Sequence, residues 1–290
     1  MCSPEIMANV YDGVTRRRFL GRLGAAGAAS ALGLTALAPS GAAHQVATPA
    51  AGPLASPTTL GSFSQIQDLS HIVTPTFPMY PGAPQMQIIL LRSIQGNGFY
   101  KNLLVEDEHT GTHMDAPAHF APDGTSAERL PVERLVAPLA VIDISSRAAS
   151  DPDAQLMPDD ITAWEGQHGS LPAGAFVAMY SGWEARLGDP ASFINQDAAG
   201  VPHFPGFHPD AAALLVNERD IVAIGVDTVS LDFGASTDFK THLTVLPAGK
   251  YGLENLAALA SVPPSGATII VGGPKHINAS GGPTRAFAVF

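Results

Sequence analysis

Short runs of apolar residues recur along the chain with the length expected of buried strands. Four of them lie at residues 139–144 (LAVIDI), 176–180 (FVAMY), 221–226 (IVAIGV) and 268–271. Continuous apolar runs of four to eight residues are typical of strands in the interior of a sheet. Residues 66–72 and 87–91 also have a β-like composition. The pattern therefore predicts a sheet with several buried strands.

Helical patterns separate these strands. Residues 158–164 begin with Pro and carry Asp159 and Asp160, which favour the first turn of a helix. Residues 209–217, with Pro at the first turn, and residues 253–259 are the other two predicted helices. Strands and helices alternate in the second half of the chain, whereas the first half is richer in strands. We therefore expect one α/β domain over residues 63–290, with a mixed β-sheet and flanking helices.

The first 62 residues differ in composition from the rest. Arg16, Arg17 and Arg18 precede Phe-Leu, and a short, weakly apolar stretch ends in small residues near Ala43. This order resembles a twin-arginine export signal, so residues 1–43 are predicted to be a signal peptide and residues 44–62 a flexible linker. The protein is then periplasmic or extracellular, without a stable membrane anchor. An uncleaved N-terminal anchor and a chance basic patch are the alternatives.

Composition narrows the function classes. Lys and Arg number 15 against 26 Asp and Glu, a net charge of −11, which argues against nucleic-acid binding. The 46% hydrophobic content excludes a disordered chain. Cys2 is the single cysteine, whereas there are 10 histidines. A metal site in this chain must therefore use His and carboxylate ligands.

One segment concentrates those ligands: residues 108–120 read EHTGTHMDAPAHF. If this segment is extended, His109, Gly111, His113 and Asp115 lie on one face, because alternate residues of a strand share a face. Gly111 then leaves room for an ion between the imidazoles. Two His and one carboxylate on one face form a divalent-metal site with open positions. A polar strand with hydrogen-bonded histidines is the simpler alternative. His119, beyond Pro117, lies close enough to act on a bound ligand.

The motif HTGTHMDAPAHF resembles the signature of the cyclase family of metal-dependent hydrolases, which includes kynurenine formamidases and isatin hydrolases. The resemblance extends over about residues 66–289 through further blocks in the same order. They include residues 78–82 (PMYPG), 225–232 (GVDTVSLD), 253–256 (LENL) and 282–286 (GPTRA). The resemblance implies the family's swivelling β/β/α fold.

The resemblance also assigns roles. It implies that His109, His113 and Asp115 are metal ligands, and that His242 and Glu254 complete a second metal position bridged by Asp115. It implies that His119 is the catalytic general acid or base. Zinc and manganese both suit such ligands, with one or two ions per subunit. Asp227 and Asp232 are candidates to orient the ligand histidines, and helix capping or hydrogen bonding in loops is the alternative for both.

The function expected from these residues is hydrolysis of a small amide, formamide or lactam by a metal-activated water. An esterase or lactonase with the same site, and an exported metal-binding protein without catalysis, are the alternatives. The expected partner is a small-molecule substrate. The resemblance further implies a homodimer or homotetramer.

Overall fold

A computed structural model describes residues 62–290. Its strands are β1 (Ile66–Asp68), β2 (Gln87–Arg92), β3 (Lys101–Val105), β4 (His113–Asp115), β5 (Val136–Asp143), β6 (Gln155–Leu156), β7 (Ala175–Tyr180), β8 (Gly206–Phe207), β9 (Ile221–Val226), β10 (Tyr251–Glu254), β11 (Ala267–Gly272), β12 (Gly281–Pro283) and β13 (Arg285–Val289). The predicted export signal and nearly all of the predicted linker lie outside the described residues.

The helices are α1 (Ile94–Asn97), α2 (Ser145–Ala148), α3 (Pro158–His168), α4 (Pro190–Ile194), α5 (Pro209–Glu218) and α6 (Lys240–Val245). Single 3-10 turns lie at Pro117–His119, Ala127–Arg129, Val132–Leu135, Trp183–Arg186 and Leu259–Ser261. Within residues 62–290, no helix is both long enough and apolar enough to cross a membrane.

Nine of the described strands form one sheet, in the order β1-β13-β11-β5-β7-β9-β10-β4-β12. The strands β5, β7, β9 and β10 run parallel to one another, and the pairs on either side of them are antiparallel. This arrangement confirms the predicted α/β domain with a mixed sheet. The strands β2 and β3 form a separate antiparallel hairpin.

The sheet is buried on both faces, because alternate side chains of its central strands enter two different apolar clusters. In β7, Phe176 and Ala178 belong to one cluster, and Val177 and Met179 belong to the other. Helices α3, α5 and α6 contribute to the second cluster. The first cluster draws side chains from β4 and β10 as well as from β11 and β13, so the sheet is curled around it. Burial on both faces explains why these strands are continuous apolar runs.

The prediction of a helix over residues 253–259 is wrong. Leu253 and Glu254 belong to β10, which fits between β9 and β4, and a 3-10 turn begins only at Leu259. Asn255 and Ala258 have φ values of 54° and 52°, which a right-handed helix cannot accommodate. Apolar spacing over so short a stretch is compatible with a helix or a strand, and pairing with β9 and β4 makes this segment a strand. The predicted strand at residues 66–72 is likewise only Ile66–Asp68.

Candidate metal centre and active site

Strand β4 lies between β10 and β12 and places two candidate ligands on one face. His113 and Asp115 are both fully buried. The antiparallel register sets Glu254 of β10 directly opposite His113. The two side chains approach to 3.2 Å between His113 Nε2 and Glu254 Oε2. Sheet pairing therefore brings together a histidine and a carboxylate that are far apart in the sequence.

His109 reaches the same point by a turn, so the prediction of a continuous extended segment is wrong. The strand begins only at His113, and Gly111 has a φ of 65°. A Cβ at Gly111 would lie 2.3 Å from Val73 Cγ2. The glycine is therefore explained by the left-handed turn and by close packing on Val73, and not by space for an ion. The turn still brings His109 Nδ1 to 2.7 Å from Asp115 Oδ1.

His242 approaches from helix α6 and faces the other carboxylate oxygen of Asp115. Its Nε2 lies 3.2 Å from Asp115 Oδ2 and 3.2 Å from Glu254 Oε1. Its Nδ1 lies 2.5 Å from Asp232 Oδ2. The other candidate for orienting a ligand histidine, Asp227, instead accepts hydrogen bonds from Ser181 and from the backbone of Trp183.

The environment of His113 is what a cation site requires. Its Nδ1 donates a hydrogen bond to the carbonyl oxygen of Gly111 at 2.9 Å, which leaves the Nε2 lone pair facing Asp115 and Glu254. That Nε2 is buried and has no hydrogen-bond partner of acceptable geometry among the described residues. A buried nitrogen lone pair facing two carboxylates is unfavourable unless a positive charge lies between them. The residues present therefore fit a divalent metal ion.

The pKa shifts of the clustered residues also indicate that this site stabilises positive charge. Burial alone would lower the pKa of His113, but the adjacent carboxylates of Asp115 and Glu254 outweigh it and raise that pKa to about 10. The pKa of His242 is likewise raised well above its usual value against the effect of burial, through Asp115, Asp232 and Glu254. Burial would raise the pKa of Asp115, but the surrounding histidines hold it well below its usual range. A metal ion held by these residues would replace the protons that the imidazoles would otherwise take up.

His119 is placed differently from the other candidates. It ends the 3-10 turn Pro117–His119 and is the most exposed of the site histidines. Its ring stacks on His109, with centroids 4.0 Å apart and an interplanar angle of 28°. One of its nitrogens also lies within 4.8 Å of ligand atoms of Asp115 and His242. Partial burial lowers its pKa, so its imidazole is neutral near pH 7 and able to exchange a proton.

A cavity of about 300 Å³ opens over these groups, and aromatic side chains form its walls. Tyr80 comes from residues 78–82, Phe120 follows His119, and Phe239 immediately precedes α6. Phe239 has a φ of 49°, an uncommon conformation for a bulky residue, and its ring lies 6.1 Å from Tyr80 and 5.9 Å from Phe120. Residues 78–82, which carry Tyr80, belong to the blocks that resemble the family, but sequence reasoning missed Phe239, because no local pattern marks a single aromatic residue as a cavity wall.

The structure thus brings together all six residues that the sequence singled out. They are His109, His113, Asp115, His119, His242 and Glu254. Two groups of potential ligands share Asp115: one contains His109 and His113, and the other contains His119 and His242. The cluster is able to hold a divalent metal, and its open side faces the cavity.

Known proteins share both this sequence and this fold. The Cyclase family model matches residues 67–233. The isatin hydrolase of Roseibium aggregatum is 35% identical over 243 residues, which cover 78% of this chain and 91% of that protein. The kynurenine formamidase of Salinibacter ruber is 27% identical over 221 residues, covering 76% and 94% of the two chains.

Solved structures give the same result. An isatin hydrolase bound to the product analogue thioisatinate superimposes with a TM-score of 0.74 at 34% identity, covering 78% of this chain and 92% of that one. Isatin hydrolase A from Ralstonia solanacearum has a TM-score of 0.73 at 35% identity, with coverages of 78% and 91%. The chain belongs to the cyclase family, and it is a hydrolase of carbon–nitrogen bonds other than peptide bonds.

Proposed function

We propose that this protein hydrolyses a small lactam or formamide with a divalent metal held by His109, His113 and Asp115. The observation that carries the proposal is the unpartnered Nε2 of His113, which faces Asp115 and Glu254 in a buried site. The similarity to isatin hydrolases and kynurenine formamidases supports the choice of bond. Zinc and manganese both suit the ligand set.

The shared position of Asp115 supports a capacity for two ions. His242 contacts Asp115 Oδ2, whereas His109 contacts Oδ1, and Glu254 Oε1 lies 3.2 Å from His242 Nε2. His242 and Glu254 together supply one imidazole and one carboxylate for a second ion. A second carboxylate offsets the charge of a second dication, so we propose that the site holds up to two.

In the proposed reaction, the metal when bound supplies an activated water and polarises the carbonyl group of the substrate. His119 takes the proton from water and delivers it to the leaving nitrogen, because it is a neutral imidazole at the open side of the cluster. Tyr80, Phe120 and Phe239 exclude water from one side of the substrate and hold its ring.

The cavity supports a small planar substrate. A volume of about 300 Å³ with three aromatic walls suits a bicyclic aromatic ring and is at the lower end of the usual range for ligand sites. A lactam of the isatin type fits this description, and the 35% identity to an isatin hydrolase favours it over the formamide of the kynurenine type. Hydrolysis of lactones and aryl esters releases an oxygen leaving group where a lactam releases nitrogen, so the same site is able to act on them.

A substrate panel tests the proposal. The protein is stripped of metal with a chelator, reloaded with zinc or manganese, and assayed with isatin, N-formylkynurenine, simple lactones and aryl esters. We expect metal-dependent ring opening of isatin to be the fastest reaction. Preference for the formamide, the lactones or the esters would reassign the substrate. Binding of metal without hydrolysis of any compound would favour the non-catalytic metal-binding protein instead.

We also propose that two copies of this chain associate through the β2–β3 hairpin. Its exposed large apolar side chains are Ile88, Leu90, Ile94, Phe99, Tyr100 and Leu104, each 45–65% exposed. Together they present on the order of 500 Å² of apolar surface, which is at the upper end for a monomer and more than half of the roughly 800 Å² that each partner buries in a stable dimer. A two-stranded hairpin is also marginally stable alone.

Sedimentation measurements test this association. Leu104→Asp should shift the protein towards monomer, whereas the matched control Ile72→Asp, at an 87% exposed position outside the hairpin, should not. Equal dissociation of both variants, or none, would contradict the assignment to the hairpin.

The proposal for location is export by the twin-arginine route, and it is supported by the sequence of residues 1–43 alone. Replacing Arg16 and Arg17 with lysine should retain the full-length protein in the cytoplasm, as cell fractionation would show. Unchanged export of that variant would contradict the twin-arginine assignment.

A further inference from the structure

We propose that Glu108 and Ser280 are positioning residues that set the ring orientation and the tautomer of the ligand His109. The inference rests on the proposed metal site and adds two residues to it. Neither residue faces the cavity, and neither belongs to the six residues that the sequence singled out.

The contacts form a chain that leads away from the cluster. His109 Nε2 lies 3.2 Å from Ser280 Oγ, and Ser280 Oγ lies 2.5 Å from Glu108 Oε2. The backbone N–H of Ser280 donates to the same carboxylate oxygen at 3.1 Å. Glu108 therefore holds the serine through both its hydroxyl and its backbone.

The direction of these hydrogen bonds follows from the carboxylate, which is acceptor-only when ionised. The hydroxyl of Ser280 must donate to Glu108, so the lone pairs of Oγ remain to accept the proton of His109 Nε2. With its proton on Nε2, the ring presents the Nδ1 lone pair to Asp115 Oδ1 at 2.7 Å. A bare nitrogen and a carboxylate oxygen at that distance need a cation between them, which is the role of the proposed metal.

The local backbone is built to permit this contact. Residue 281 is glycine, and a Cβ there would lie 2.9 Å from His109 Cε1 and 2.2 Å from the carbonyl oxygen of Met114. The carbonyl of Ser280 accepts the backbone N–H of Ala116, so the serine is fixed next to β4. The approach of β12 to the imidazole thus depends on a residue without a side chain.

The three candidate ligand histidines then follow one rule: the nitrogen that faces away from the cluster is hydrogen-bonded. His113 uses the carbonyl of Gly111 and His242 uses Asp232. His109 uses Ser280, with Glu108 behind it. Such partners orient metal-binding imidazoles, and their loss commonly lowers metal affinity by about 10- to 100-fold.

Metal affinity of the purified proteins, measured by competition with a chromophoric zinc chelator, tests the proposal without an activity assay. Ser280→Ala should bind zinc about 10- to 100-fold more weakly, Glu108→Gln should show a smaller loss in the same direction, and Ser280→Thr should restore most of the affinity. Ser150→Ala, which removes an exposed serine hydroxyl that donates to the carbonyl of Arg147, is the matched control and should bind as wild type.

Kinetics provide a second measurement, in which kcat should fall in Ser280→Ala while KM changes little. Wild-type affinity in both Ser280→Ala and Glu108→Gln would overturn the proposal, as would a loss in Ser280→Ala that Ser280→Thr fails to restore. If wild type and variants follow the expected affinities but no panel compound is hydrolysed, the proposed function fails and the positioning role stands. If the wild type is active but the variants bind zinc with the same affinity as the wild type, the proposed function stands and the positioning role fails.

Discussion

Asp232 Oδ2 lies 2.5 Å from His242 Nδ1, and the same carboxylate accepts the backbone N–H groups of Thr241 and His242. One buried side chain therefore fixes both the first turn of α6 and the orientation of the imidazole that α6 carries. Because Nδ1 is the protonated nitrogen, the Nε2 lone pair faces Asp115 and Glu254.

Asp232→Asn should damage both metal binding and stability. The NH₂ group of asparagine would replace one carboxylate oxygen and would face either His242 Nδ1–H or a backbone N–H. Two hydrogen-bond donors would then face each other in a buried place, with no acceptor between them. We expect a loss of about 1–3 kcal/mol in the free energy of unfolding and about 10- to 100-fold in zinc affinity. The matched control is Asp189→Asn, since Asp189 is an exposed residue that caps helix α4 and asparagine is an equally good cap. Similar effects of the two substitutions would contradict the special role of Asp232.

His113→Ala and His119→Ala should separate metal binding from catalysis. Loss of His113 removes a buried ligand nitrogen between two carboxylates, so metal content and turnover should disappear together. Loss of His119 should leave zinc bound and reduce kcat by about 10²- to 10⁴-fold, the usual contribution of a general acid or base. Metal analysis beside single-turnover kinetics distinguishes the two. Absence of zinc from His119→Ala would make His119 a ligand, and chelator-resistant turnover by His113→Ala would refute the metal mechanism.

Gly111→Ala should destabilise the protein for two reasons, the left-handed backbone conformation at this position and a steric clash of the new Cβ with Val73. The left-handed φ of 65° costs about 1–2 kcal/mol for alanine, and the contact of the new Cβ with Val73 adds about 1–3 kcal/mol. Gly98→Ala is the matched control, because Gly98 has a φ of 76° and no neighbour within 4 Å of a Cβ. Urea unfolding of both variants gives the difference. Adding Val73→Ala should rescue Gly111→Ala in part, and equal losses at the two glycines would rule out the steric contribution.

The stability contributed by Asp227 should depend on pH. Burial raises its pKa to about 6, despite the hydrogen bonds from Ser181 and Trp183, whereas the unfolded chain has a value of roughly 3.9. Between these values the native state holds a proton that the unfolded chain releases, so this contribution is largest at low pH and falls as pH rises. The unfolding free energy of the wild type minus that of Asp227→Asn should therefore be about 1.4 kcal/mol more positive at pH 5 than at pH 7.5. A difference independent of pH would mean that Asp227 keeps an ordinary pKa.

Local pattern was sufficient for much of the fold. The buried strands at β5, β7, β9 and β11 were predicted from continuous apolar runs, and α3 and α5 were predicted from their first-turn residues. These elements are predictable because burial on both faces of a sheet and the chemistry of a helix start leave a mark within a few residues. The segment at Leu253 was predicted as helix because its apolar spacing fits both structures, and only its slot between β9 and β4 makes it a strand.

For the site, residue types alone were enough to predict the ligand chemistry. Without cysteine beyond Cys2, a metal site had to use His and carboxylate ligands, and the residues around His113 concentrate them. Tertiary structure decided how they meet. The cross-strand register sets Glu254 opposite His113, and the turn at Gly111 brings back His109. Contacts such as Ser280 on His109 join residues 171 positions apart. A local sequence pattern cannot predict such contacts, because they depend on which strands pair and not on the neighbours of either residue along the chain.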